Sequence, residues 1–301
     1  MSDTETSEAT GAAPADASEG DGKLPVALRS AIGLSLAALV GLVLWIDSFW
    51  PPGYIYAAFG TVTVALGADE YYGLAEGGER RLSRPGLAAL CAGFFLLQWA
   101  AWAFNIPPDP GVLTGFLLAA CIIGALAAVV LTDRPDGGAE AVAFTATGLV
   151  YVPFLLGFLT PVRMLWGSGG VLFVLATCKS CDSAAYYAGT YLGRHKLAPN
   201  VSPNKTIEGL AGGMVGSAGV ALLLAAATPW NVLSPGPAIL YGAGAGAVTA
   251  LGDLAESVLK RDSNVKDSSS LISSAGGVLD LLDGVLFAAP YSLAYFYLFA
   301  A

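Results

Sequence analysis

Residues 209–228 read GLAGGMVGSAGVALLLAAAT, twenty consecutive positions without a charged side chain. A membrane hydrocarbon core of ~30 Å takes about 20 apolar residues of helix, at 1.5 Å rise each, so this stretch has the length of one crossing. Its glycines and alanines suit close approach of helix backbones within a bilayer. The other reading of so many glycines is a phosphate-cradling loop. No Gly-x-x-x-x-Gly-Lys-Ser/Thr occurs anywhere in the chain, which excludes a P-loop.

Comparable apolar runs lie at about 25–46, 54–68, 86–105, 111–131, 141–160, 164–178, 236–252 and 278–300. Together they predict an all-α, polytopic helical membrane protein with about nine transmembrane helices. A membrane β-barrel is excluded because no series of roughly ten-residue alternating strands is present. Composition agrees, with 55% hydrophobic and 12% charged residues, against ~25% charged in an ordinary soluble domain. A net charge of −9 argues against a nucleic-acid partner, and four cysteines are too few for a disulfide scaffold. The opening segment, residues 1–23, carries six acids, one base and little apolar content, and reads as a disordered acidic tail.

The basic residues order the spans. With the N-terminus cytoplasmic and nine crossings, thirteen of the 14 Lys and Arg residues fall on one side, and only Arg163 on the other. Positive charge favours the cytoplasmic face, so the pattern predicts that the N-terminus and the polar connectors are cytoplasmic.

Two long connectors, 178–209 and 252–283, hold most of the remaining polar residues. Asp253 directly follows an apolar run. Asp280 and Asp283 stand at i and i+3 on the opening turn of the last span, on one helix face and at the positive end of its dipole. Ionisable groups at membrane depth are candidates for function, and converging carboxylates suit a hard cation such as Mg²⁺. They are equally read as ordinary N-terminal acids facing water. Lys205, Lys260, Arg261 and Lys266 beside these acids suit a phosphate-rich substrate, although topology alone also places bases here. Ser202, Asn204 and Thr206 could donate to phosphate or cap the helix beginning near Glu208.

Other polar residues read as structural. His195 is the single histidine and sits between Arg194 and Lys196, a solvated loop position. Cys178 and Cys181 form one Cys-x-x-Cys with no second pair. Asp69 and Glu70 close the second span and read as boundary residues.

At the two connectors the sequence resembles the CdsA-type phosphatidate cytidylyltransferases, the CDP-diacylglycerol synthases. Ser257, Leu259, Lys260, Arg261, Lys266 and Asp267 match the family's C-terminal signature in register. So do Ser269, Ile272, Ser273, Gly276, Gly277, Val278, Asp280, Leu282 and Asp283, preceded by Gly252-Asp253. Upstream, Asp182, Ala185, Tyr186, Gly189, Gly193, Lys196-Leu-x-Pro199 and Ser202-Pro-x-Lys-Thr-x-Glu-Gly209 are similar to the same family. The likeness covers roughly residues 178–300 in motif and the earlier half in style. Ala275 stands where the signature has His, and Leu281 where it has Arg. These two changes remove a proton-transfer candidate and a phosphate-binding cation, and leave the carboxylates and lysines in place.

The resemblance implies an integral-membrane nucleotidyltransferase that condenses CTP with phosphatidic acid to give CDP-diacylglycerol and pyrophosphate. It divides the chain into the tail 1–23, N-terminal transmembrane helices 24–177 and a C-terminal catalytic transmembrane domain 178–301. Asp253, Asp280 and Asp283 would be metal and catalytic carboxylates, and Lys260 the contact to transferring phosphate. Lys205, Arg261 and Lys266 would bind phosphate or pyrophosphate, and Asp267 would hold metal or orient a lysine. Asp182, Ser202, Thr206 and Glu208 would lie near the nucleotide or the lipid head group. The implied cofactor is Mg²⁺, alone or with a second cation. The implied setting is a homodimer in the cell (inner) membrane, multi-pass, with its active site facing the cytoplasm. The alternative is a degenerate homologue that takes another lipid phosphate or only binds lipid.

Overall fold

Helices account for most of the described chain, as an apolar solvent requires when it offers no partner to free backbone N–H and C=O groups. The computed structural model describes residues 26–50, 52–74, 83–132, 136–230, 232–262 and 277–300. The tail 1–23 and the residues Arg80, Arg81, Arg134, Lys266, Asp267 and Ala275 lie outside the described residues. The helices are α1 (Val26–Asp47), α2 (Tyr54–Leu74), α3 (Arg84–Ala103), α4 (Pro110–Leu131) and α5 (Gly138–Leu149). They continue as α6 (Leu155–Gly157), α7 (Leu159–Leu192), α8 (Ile207–Ala227), α9 (Pro235–Asp262) and α10 (Val278–Phe299). Among the described residues, six helical stretches are long and apolar enough to cross a membrane: α3, α4, the run Gly138–Leu192, α8, Pro235–Arg261 of α9, and α10. The protein is a polytopic helical membrane protein.

Local chemistry sets the helix starts. Ser83 caps α3 by accepting from Gly86 N–H at 3.3 Å. Asp109 caps α4 by accepting from Gly111 and Val112 N–H at 2.9 and 3.2 Å. Thr206 caps α8 by accepting from Gly209 N–H at 3.0 Å, the capping alternative open for it in the sequence.

The 55-residue run Gly138–Leu192 crosses the molecule and returns. Near its start, Phe144 stacks on Tyr71, in the last turn of α2. Further on, Thr160 meets Tyr56 in the first turn of α2 at 3.3 Å, and Arg163 reaches Asp47 at 2.7 Å. The turn-back includes Gly167, with φ 68° and ψ −170°, a conformation open in practice to glycine alone. The run then comes back until Cys181 donates to the Gly246 carbonyl of α9 at 3.3 Å. The apolar segments read as 141–160 and 164–178 are the outward and return limbs of this run.

Three boundaries differ from the sequence reading. Residues 178–192 and 253–262, read as connectors, continue α7 and α9 as helix. The second span, read as 54–68, runs on to Leu74. Hydropathy marks where a helix leaves the apolar layer, but its i→i−4 hydrogen bonds do not depend on apolar side chains, so the helix extends further. The all-α expectation also missed one small sheet, an antiparallel hairpin of β1 (Lys196–Ala198) and β2 (Ser202–Thr206).

The glycine-rich segments are consumed by packing inside the chain. A Cβ on Gly213 would lie 2.8 Å from Cys181 Sγ of α7, and one on Gly246 2.9 Å from the Met214 Cα of α8. Helices α7, α8 and α9 therefore meet backbone to backbone.

Candidate active site

Nearly all described basic side chains gather at one end of the helices, with Arg163 and its partner Asp47 at the other. The gathering begins with a contact between α9 and α10. A Cβ on Gly284 would sit 2.5 Å from Thr249 Cγ2, and one on Gly252 would collide with the Asp283 carbonyl oxygen. Only glycine at position 252 allows this approach, which sets Asp253 beside the first turns of α10. Asp283 is 8% exposed and accepts from Gly284 N–H at 2.6 Å. The charges acting on it are those of Asp253, Lys179 and Asp182.

Lys260 is held between two acids. Its ammonium pairs with Glu256 at 3.0 Å, one turn earlier on α9, and with Asp280 of α10. All three side chains are largely buried, so removing Lys260 leaves two acids without the cation they share. Asp280 is anchored again by its other oxygen, which accepts from Gly277 N–H at 2.6 Å and closes the first turn of α10.

A residue from the other half of the chain completes that helix start. Glu70 of α2 is 3% exposed. Its two oxygens accept from Val278 N–H at 2.9 Å and Leu279 N–H at 2.7 Å. The N-terminus of α10 thus carries two carboxylates, Glu70 and Asp280, on backbone N–H groups that have no helical partner.

The hairpin supplies the second lysine. Lys205 of β2 pairs with Asp253 at 2.6 Å. Glu208, just inside α8, holds the hairpin shut. One of its oxygens accepts from Arg194 and His195 N–H at 3.0 and 3.2 Å, and the other meets His195 Nδ1 at 2.6 Å. Arg261 donates from Nε to the Val201 carbonyl at 3.3 Å, tying the hairpin tip to the end of α9.

The candidate residues therefore separate by position. Asp253, Lys260, Asp280, Asp283 and Lys205 come together, with Asp182 nearby in an ion pair to Lys179 at 3.0 Å. Thr206, Glu208 and Arg261 are engaged in building and attaching the hairpin, and Ser202 sits in its register opposite Ala198. Lys266 and Asp267 lie outside the described residues. Glu70 and Glu256 were missed. Glu256 had a readable signal, since it stands four residues before Lys260 and three after Asp253. Glu70 had none beyond being an acid at the end of an apolar run.

The donor chemistry of Asp253, Asp280 and Asp283 suits Mg²⁺, but their spacing does not enclose an ion. Among the described residues no group of three or more Asp, Glu, His or Cys side chains is close enough to hold one. Asp253 and Asp280 are turned to lysines instead. The mechanism proposed below takes no step through a metal.

Comparison with known proteins bears on these residues together. A family model described as "Cytidylyltransferase family" matches residues 27–299. A phosphatidate cytidylyltransferase of Thermotoga maritima is 34% identical over 179 residues, 58% of this chain and 66% of that protein. One of Bacillus subtilis is 36% identical over 157 residues, 50% of this chain and 57% of that protein. One of Brucella suis is 39% identical over 201 residues, 64% of this chain and 67% of that protein. The chain thus spans between 57% and 66% of the length of the first two relatives. The matched region takes in every described helix from α2 to α10 and all four lysine–carboxylate pairs above, and on that ground the chain belongs to the cytidylyltransferase family.

Proposed function

We propose that this protein condenses CTP with phosphatidic acid, giving CDP-diacylglycerol and pyrophosphate for phospholipid synthesis. The observation that carries this reading is Lys260, held between Glu256 and Asp280, beside Asp253 and Asp283 at one end of a membrane-spanning helix pair. The names of the relatives support the same reaction.

The chemistry fits the groups present. The lipid phosphate is already an anion and attacks the α-phosphorus of CTP, and the bond to the β,γ-pyrophosphate breaks. No strong general base is required, so the absence of the family histidine at Ala275 does not block the step. The main barrier is the repulsion of two polyanions. Lys205 and Lys260 lower it by placing positive charge at fixed points, which also aligns the in-line displacement. Arg261, at the hairpin tip, stands where a departing pyrophosphate could be held. Asp253, Asp280 and Asp283 carry the oxygen donors that Mg²⁺ favours, and an ion held by any of them would add charge neutralisation beside the lysines.

The basic residues support a cytoplasmic site in the inner membrane, where CTP arrives from water and the lipid arrives laterally. A homodimer is proposed as well, and it needs a surface other than the glycines facing α7 and α9. Helix α4 is available, since it buries only Pro110 and Thr114.

The test is purified protein with labelled CTP, Mg²⁺ and phosphatidic acid. CDP-diacylglycerol and pyrophosphate should form one to one, and Asp283→Asn should abolish both. No lipid-dependent pyrophosphate release with any phospholipid acceptor would overturn the reading.

A further inference from the structure

Tyr151, like Glu70, lies outside the matched motifs and is brought to the site by the structure. It lies in the π turn Val150–Phe154 between α5 and α6. Pro153 has no N–H to donate four residues back, and Leu155 N–H instead reaches the Val150 carbonyl, five residues back. Such turns shift a side chain from its regular helical direction and recur at functional sites.

The π turn is level with the start of α10. A Cβ on Gly67 of α2 would lie 3.3 Å from Val152 Cγ1 and 3.9 Å from Leu279 Cδ1, so α2, the π turn and the first turn of α10 meet at one point. Leu279 immediately precedes Asp280. The Tyr151 side chain is 7% exposed, and its hydroxyl finds no hydrogen-bond partner among the described residues. The charges acting on that hydroxyl are those of Glu256, Asp283, Asp253 and Asp280, four of the carboxylates gathered at the site. A buried phenol without a partner is costly, and a chain that retains one at a site calls for an acceptor there.

We infer that Tyr151 is a substrate-contacting residue whose hydroxyl donates a hydrogen bond to a phosphate oxygen bound at the start of α10. The inference rests on the proposed transferase reading and adds a contact from the N-terminal half of the chain. A phosphate oxygen is the acceptor that the reaction brings, and both the lipid and the nucleotide carry one.

The experiment compares wild type and Tyr151→Phe in the synthase assay, varying phosphatidic acid at fixed CTP and then CTP at fixed phosphatidic acid, with thermal midpoints measured without substrate. The expected result is a fall of ten-fold or more in kcat/KM for one substrate, with a midpoint equal to or above wild type, because Phe keeps the ring and removes an unpaired donor. The substrate whose KM rises is the one that Tyr151 holds. Kinetics within two-fold of wild type for both substrates would overturn the inference, and so would lost activity with a lower midpoint, which is the signature of a packing role. Inactive wild type would remove the transferase reading itself, whereas active wild type with an unaffected variant would remove this inference alone.

Discussion

Glu70 and Leu279 are joined across 209 positions of sequence by a hydrogen bond of 2.7 Å, from the Leu279 N–H to the Glu70 carboxylate. With the bond from Val278 it makes a side chain of α2 the cap of α10, the helix that carries Asp280 and Asp283. Glu70→Ala should destabilise the protein by about 1–3 kcal/mol, because buried N–H groups lose their acceptor. It should also lower kcat more than it raises either KM. Glu70→Gln keeps one carbonyl acceptor and should fall between. Thermal unfolding in detergent, read beside the activity assay, checks both effects.

Lys260 should be the least replaceable side chain. Lys260→Met takes the shared cation from Glu256 and Asp280 in a mostly buried position, a change that typically costs about 3–5 kcal/mol. Activity should drop by at least about 100-fold, the size of effect seen when one preorganised electrostatic contact to a reacting group is lost. Glu256→Gln retains a hydrogen-bond partner and should spare stability more than activity. An unaltered rate in Lys260→Met would remove Lys260 from the reaction.

Lys205 is the more exposed of the two lysines and stands on the hairpin rather than in the helix pair. Lys205→Ala should therefore act on substrate binding, raising the KM for CTP several-fold with little change in thermal midpoint. Lys205→Arg should recover part of the loss. Equal KM values across the three proteins would contradict this role.

A bound Mg²⁺ would have to compete with Lys205 for Asp253 and with Lys260 for Asp280. Adding Mg²⁺ in the absence of substrate should raise the thermal midpoint of wild type, and Asp253→Asn and Asp280→Asn should lose that response. A midpoint indifferent to Mg²⁺ in wild type would count against a resident ion. Removal of Mg²⁺ with a chelator should stop product formation in either case if the ion takes part.

Arg163, at the far end, gives the contrasting case. It donates to the fully buried Asp47 from Nε at 2.8 Å, and Asp47 also accepts from Ile55 and Tyr56 N–H at 3.0 Å each. Arg163→Met should cost about 3–5 kcal/mol of stability, as for other broken buried pairs, yet leave both KM values of the folded protein unchanged. Altered substrate affinity would mean that the two ends are coupled more closely than these contacts indicate.

Much of the candidate cluster was legible because its residues lie close together in sequence. Asp280 and Asp283 share one helix turn, and Asp253 and Lys260 lie on one helix, so pattern alone could group them. Helix ends were less legible. Tyr186 and Tyr191 belong to α7 although hydropathy had already fallen away, because backbone hydrogen bonding carries a helix past the apolar layer. Glu70 and Tyr151 were not legible at all. Their importance comes from packing between α2, the π turn and α10, which no local spacing encodes. Thr206 and Glu208 show the reverse, since polar residues of a family motif that read as lying near substrate also cap α8 and latch the hairpin.

Helix α2 is fixed by a buried carboxylate at each end, Asp47 on its first N–H groups and its own Glu70 on α10. Its 21 residues span ~31 Å at 1.5 Å each, about the thickness of a bilayer's hydrocarbon core. The helix therefore works as a ruler, setting how far the acids of α10 stand from the Asp47–Arg163 pair at the other end. One residue inserted within it would turn Glu70 by about 100° away from Val278 and Leu279, without changing any residue of α9 or α10.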